Sequence, residues 1–157
     1  MKKTILICIT LAVCVFTMPS CKKKKGCTDQ NSISYDSEAE ENDGSCKYAG
    51  TGGNVRLIIK PQHHGTPILN RTTYPDTAYL KFNVQESPGV NAYAYDLVVA
   101  GIHIGEDNVE IEGLKPGKYY ILATGFDTTI NERVLGGIPF IITAEAGEVI
   151  VNVPVVE

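Results

Sequence analysis

The chain has 157 residues with 43% hydrophobic and 20% charged residues, enough for one domain with a real core and too little for two. Its formal net charge is −4. Basic residues that bind nucleic acid spread over a face, and an acidic body with one lysine cluster near its start excludes that class of partner.

Met1 to Lys3 is a short positive start, and Thr4 to Thr17 (TILICITLAVCVFT) is an apolar run of signal-peptide length. About 20 apolar residues are needed to span a bilayer, so the run is short for a permanent span. It ends in Met18-Pro19-Ser20-Cys21. This resembles the lipobox of bacterial lipoproteins, in which an apolar residue, two small residues and a cysteine direct lipidation and cleavage. The resemblance implies a signal peptide over 1–20 and Cys21 as the lipidated first residue of the mature chain. A secretory signal followed by a chance cysteine is the bland alternative. Loss of Lys2 and Lys3 leaves 12 basic against 18 acidic residues, a net −6. Lys22 to Lys25 complete a tether over 21–25, either drawn to an anionic lipid surface or simply solvated. They do not resemble the acidic export signal of some surface lipoproteins, which favours a periplasm-facing attachment.

With Cys8 and Cys14 in the signal and Cys21 taken by lipid, Cys27 and Cys46 remain. An even pair in an exported chain reads as a disulfide. Closing a loop of about 20 residues stabilises by roughly 3 kcal/mol on the chain-entropy account. Between the two cysteines lie six acidic residues, no basic ones and few apolar ones, so residues 26–48 form an acidic segment that needs its staple. The stretch GCTDQNSISYDSEAEENDGSCKY resembles a short repeat of exported Bacteroidetes proteins, GCTDPxAxNYxxxAxxDDGSCxY, with Gln30 in place of the proline. Asp29 and Asn31 begin an alternating-oxygen pattern suited to calcium, but Ile33 breaks it, which leaves a solvated acidic microdomain as the reading.

Ala49 to Gly53 (AGTGG) reads as a flexible linker. From 54 to 157 the period is two. Val55, Leu57 and Ile59 alternate with polar or opposite-face residues in Asn54–Lys60, and Ala78–Val84, Tyr93–Ala100, Asn108–Glu112, Lys118–Thr124, Ile138–Thr143 and Glu148–Val155 follow. Seven short strands between Gly, Pro and Asn turns predict an all-β fold, a seven-stranded antiparallel β-sandwich. Pro154 predicts that the last strand lies at an edge or leaves the sheet there. In EGLKPGKYYILATGFD, residues 112–127, Pro116-Gly117 reads as a type II turn at the tip of a hairpin, with Gly117 at positive φ. The stretch resembles the GLxPGxYxLxV signature of carboxypeptidase-regulatory-like and transthyretin-like (Ig-like) sandwich domains, including collagen-adhesin B-type repeats. The resemblance implies an accessory domain, not a peptidase.

The histidines are the remaining candidates for chemistry. His63 and His64 are adjacent, and neighbouring residues of an extended chain point opposite ways, so one metal would need a turn to gather both. His103 lies elsewhere, and a polar turn is the simpler reading of His63-His64. Asp76-Thr77-Ala78 and Asp127-Thr128-Thr129 resemble O-glycosylation sites of exported Bacteroidetes proteins. No G-x-S-x-G, P-loop or H-E-x-x-H pattern occurs. The sequence therefore assigns no catalytic residue, no cofactor and no metal. It reads as a non-catalytic lipoprotein of the bacterial cell envelope, expected at the outer membrane through lipid on Cys21. Its sandwich would be a structural or binding module for a protein or glycan partner. The alternative is a periplasmic metal- or small-ligand-binding module using His63, His64 and His103.

Overall fold

The computed structural model describes residues 22–157. The proposed signal and Cys21 lie outside the described residues. Ten strands are present: β1 (Lys25–Gly26), β2 (Glu41–Asn42), β3 (Thr51–His63), β4 (Thr66–Pro67), β5 (Thr77–Phe82), β6 (Leu97–Ala100), β7 (Val109–Leu114), β8 (Gly117–Asp127), β9 (Glu132–Ile142) and β10 (Ala146–Val155). The fold is all-β. β3 lies between β10 on one side and β7 and β4 on the other, and β6-β5-β8-β9 form the second sheet.

Alternation explains why these residues meet. Val55, Leu57 and Ile59 of β3, Leu80 of β5, Ile121 of β8 and Val153 of β10 are fully buried in one cluster that joins the two sheets. Burying each such side chain contributes about 1.5–3 kcal/mol. A smaller cluster of Tyr95, Tyr120 and Leu122 lies apart from it, where the 84–96 loop covers the outer face of the second sheet. On the outer face of the first sheet, Arg56 of β3 reaches Glu110 of β7 and Glu148 of β10, tying three strands together.

Each of the seven expected segments lies in or overlaps a strand, with differences at particular places. Tyr93 and Ala94 belong to a short 3₁₀ turn, not to β6. β4 is an eighth strand in the body. The sandwich is not wholly antiparallel, because β10 runs parallel to β3 along its length, from Ala146 opposite Asn54 to Val155 opposite His63. Lys60 and Asn152 are register neighbours in that pair, with Asn152 exposed and the Lys60 ammonium 3.1 Å from Asp107. β10 is a strand at the end of its sheet's order, as Pro154 indicated.

The turn expected at Pro116-Gly117 is not a hairpin. β7 pairs with β3 and β8 pairs with β5 and β9, so Lys115-Pro116 carries the chain from one sheet to the other. Positive φ falls on Gly113, at 75°, and not on Gly117. Gly117 is required for another reason: a Cβ there would lie 2.4 Å from both the Cα and the N of Ala49.

That contact also corrects the linker. Thr51 to Gly53 already belong to β3, and Ala49 is buried in the main cluster. The Ala49 N–H donates to Asn83 Oδ1 at 2.7 Å, and the buried Tyr119 hydroxyl accepts from the Gly50 N–H at 3.1 Å. Lys118 Nζ donates to the Gln30 carbonyl, and Lys47 pairs with Glu145 at 2.9 Å. The Cys-pair segment is therefore docked on one end of the body, where β3, β8 and β10 begin. Within it the Cys27 and Cys46 sulfurs are 2.04 Å apart, at disulfide distance. Two lysines of the stretch expected to be a tether are engaged within this segment, since Lys24 reaches Asp36 at 3.0 Å and Glu38 at 2.6 Å, and Lys25 reaches Glu41 at 3.3 Å.

Gly117→Ala is expected to lower stability by about 1–3 kcal/mol, because the added methyl overpacks against the Ala49 backbone. Gly50→Ala adds a methyl where no atom lies within 4 Å, and should change stability by less than about 0.5 kcal/mol. Denaturant midpoints of the two variants check this, and equal midpoints would contradict the docking of Ala49 on Gly117.

Candidate functional site

The end of the body opposite the Cys-pair segment is where β3, β8 and β10 finish. Three pieces of chain build it. β3 turns into β4 through His64 and Gly65, with His63 paired to Thr66. Both turn residues have positive φ, 49° and 80°, as a two-residue hairpin of the twist-matched type demands. β8 ends at Asp127, and β10 is carried past Val155 by a pair of backbone hydrogen bonds between Val156 and Leu135 of β9, at 2.8 and 2.9 Å. β9 comes this close because residue 136 is glycine: a Cβ there would meet the Pro154 carbonyl oxygen at 2.1 Å.

The parallel pairing of β3 and β10 then delivers Glu157 onto His63. His63 is buried, with 5% of its surface exposed, and is not the exposed turn residue that the sequence suggested. Its Nδ1 lies 2.7 Å from Asp127 Oδ2 and its Nε2 lies 2.9 Å from Glu157 Oε2. The Asp127 hydrogen bond holds the His63 pKa above the ordinary imidazole value, against burial, and Glu157 adds to it. His63 in turn is the main cause that holds the Asp127 carboxyl below its usual range, helped by the Thr129 N–H at 2.7 Å. His64 stands beside His63, with ring centroids 4.3 Å apart. The turn that the sequence said one metal would need is present, because His64 leaves the extended conformation. His103 is not part of this group: it sits exposed in the loop between β6 and β7. Among the described residues the group of His, Cys, Asp or Glu close enough to share an ion is His63, His64 and Glu157. Glu157 and Asp127 were missed by sequence reasoning, since nothing local marks two residues 94 and 64 positions away as partners of His63.

Beside the β8–β9 turn, at the same end, lies an open groove of about 760 Å³, lined by Arg71, Thr72, Tyr74, Ile104, Phe126 and Thr128 among others. Its two rings are stacked on each other at 4.5 Å, and the Arg133 guanidinium covers Tyr74 at 5.2 Å. The groove thus offers hydrogen-bonding edges and a cation more than a bare aromatic platform.

The acids of the Cys-pair segment are differently employed. Asp29 accepts from the Asn31 N–H and from the Tyr48 hydroxyl, Asp36 from the Glu38 N–H, and Asp43 from the Ser45 N–H. These are turn-capping bonds that hold a segment with little core of its own.

One carboxyl near the groove has no such role. Asp76, just before β5, is fully buried, and neither of its side-chain oxygens has a hydrogen-bond partner. Its N–H donates to Asn70 Oδ1 at 2.9 Å and its carbonyl accepts from Gly101, so the backbone is fixed while the carboxyl is pressed beside Gly125. Burial pushes its pKa up to about 7; the Arg71 charge opposes this and the Asp107 charge adds to it. In Asp76-Thr77-Ala78, therefore, only Thr77 presents any surface.

No family model, no curated protein and no solved structure matches the chain.

The raised carboxyl gives a pH prediction. The folded protein holds a proton on Asp76 between the ordinary value of 3.8 and about 7, where the unfolded chain has released it. Stability contributed by the neutral form is therefore lost as pH rises. From pH 5 to pH 8 the loss is on the order of 2–3 kcal/mol. Asp76→Asn, which cannot ionise, should lose less over the same range, and the difference between the two curves isolates this group from His63. Parallel curves from urea melts at each pH would contradict the burial of an ionisable Asp76.

Proposed function

We propose that this protein is a lipid-anchored lipoprotein of the bacterial envelope, whose β-sandwich is a non-catalytic structural or binding module held at the membrane. The observation that carries the reading is the arrangement of the two ends. The segment that leads back to Cys21 is docked where β3 begins, and the groove and the histidine corner lie where β3 ends. The regular run of β3 from Asn54 to His63, ten residues in register with β10 at about 3.3 Å each, separates them by roughly 30 Å. Tethering at one end leaves the other facing outward, with its groove accessible to a protein or glycan.

The lipobox-like MPSC and the resemblance of residues 26–48 to a repeat of exported proteins support the address. The sandwich is of the transthyretin-like or carboxypeptidase-regulatory-like kind in this reading, supported by the GLKPGKYYIL stretch and by the packing of two sheets on one core. The crossing of Lys115-Pro116 between sheets gives that stretch a structural role, because it ends β7 beside β3 and starts β8 beneath Ala49.

The full chain expressed in a Gram-negative host should partition with membranes and lack residues 1–20. Cys21→Ser should abolish acyl labelling with radioactive palmitate and leave an unlipidated form. A soluble, unacylated product from the unchanged gene would overturn the anchor and with it the reading.

A further inference from the structure

We propose that His63, His64 and Glu157 form a three-ligand site for one zinc ion, with Asp127 orienting His63 from behind and a fourth position open to solvent or a ligand. The proposal stands whether or not Cys21 carries lipid.

Donor chemistry is the first argument. Two imidazoles and one carboxylate match a set that zinc accepts in tetrahedral sites with an open position, at bond lengths of about 2.0–2.2 Å. Geometry is the second. One donor atom from each residue lies within 4.8 Å of the others. Donors around a tetrahedral ion at those bond lengths are about 3.3–3.5 Å apart. His63 is buried and held, while His64 and Glu157 are exposed and free to move. The Nε2 of His63 already faces Glu157 at 2.9 Å, so that pair opens slightly to admit an ion and the contraction falls on His64.

Support behind the ligand is the third argument. A metal-bound imidazole needs its other nitrogen protonated and fixed, most often by a carboxylate. His63 Nδ1 has that partner in Asp127, at 2.7 Å, and Asp127 is itself fixed by the Thr129 N–H. A surface histidine cluster formed by chance has no reason to carry this second layer. The fourth argument is the backbone. His64 occupies the left-handed region, which a residue with a Cβ enters at a cost, and this conformation sets its ring beside that of His63.

The test is calorimetric titration of the full-length, tag-free protein in detergent with zinc chloride as the only added metal. The wild type should bind one equivalent. His64→Asn should weaken binding at least 10-fold while keeping the turn, because asparagine tolerates the left-handed region that His64 occupies. Asp127→Asn should weaken it about 10–100-fold, as loss of a carboxylate behind a ligating imidazole does. His103→Ala should bind as the wild type does. Zinc should raise the melting temperature of the wild type and not that of His64→Asn, since only binding to the folded state stabilises. Substoichiometric binding by the wild type would overturn the proposal, as would unchanged affinity in His64→Asn or lost affinity in His103→Ala. His64→Asn carries the test alone if Asp127→Asn proves unstable, because His64 is exposed.

Discussion

β3 is the constraint on which the rest of the structure depends. It is 13 residues long, its Val55, Leu57 and Ile59 are fully buried, and it is flanked by β7 and then β4 on one side and by β10 on the other. Removing any of these side chains to alanine would cost about 2–5 kcal/mol, a large share of the roughly 5–15 kcal/mol by which domains of this size are stable. Although its register against β7 shifts between Thr51 and Leu57, a strand so held fixes two ends of the molecule relative to each other. At its start Ala49 and Gly50 dock on Gly117 and Tyr119; at its finish His63 meets Asp127 and Glu157. The docked Cys-pair segment and the His63 corner are therefore coupled by one element.

The His63 corner shows how non-local pairing makes chemistry from ordinary residues. β10 reaches it only because it runs parallel to β3, and it stays there because Val156 is bonded to Leu135 across a glycine-permitted close approach. Two carboxylates on one buried imidazole make a strong site for a cation. Both raise the affinity of His63 for a proton, and the same two carboxylates suit a metal ion, one as a ligand and the other as the support behind it. The exposed positions of His64 and Glu157 provide an entry path.

Much of the fold was legible because its cause is local. Period-two alternation in NVRLIIK, AYLKF and KYYILAT reflects one buried face per strand, and those segments are β3, β5 and β8. The two cysteines were legible by elimination. Gly117 was flagged for the wrong reason: conformational freedom was expected, whereas the demand is steric and comes from Ala49, 68 residues earlier in the chain. The same distance hid the linker's true role, since Ala49 and Gly50 look flexible until their partners in β8 are known. His64-Gly65 did carry a signal, a residue that tolerates positive φ followed by glycine between two extended runs. Asp76 carried none, because burial of a carboxyl without a partner cannot be read from its neighbours in sequence.

The central claim is that the Cys-pair end and the His63 end are held apart as one rigid body. Spin labels attached through non-canonical residues at Ser37, in the Cys-pair segment, and Ile130, in the β8–β9 turn, report on it directly, since both positions are at or near the surface. The regular run of β3 from Asn54 to His63 predicts a single narrow distance distribution centred between roughly 30 and 45 Å. A distribution centred below about 20 Å, or one spread across the whole measurable range, would contradict the docking of residues 22–50 on the far end of the sandwich.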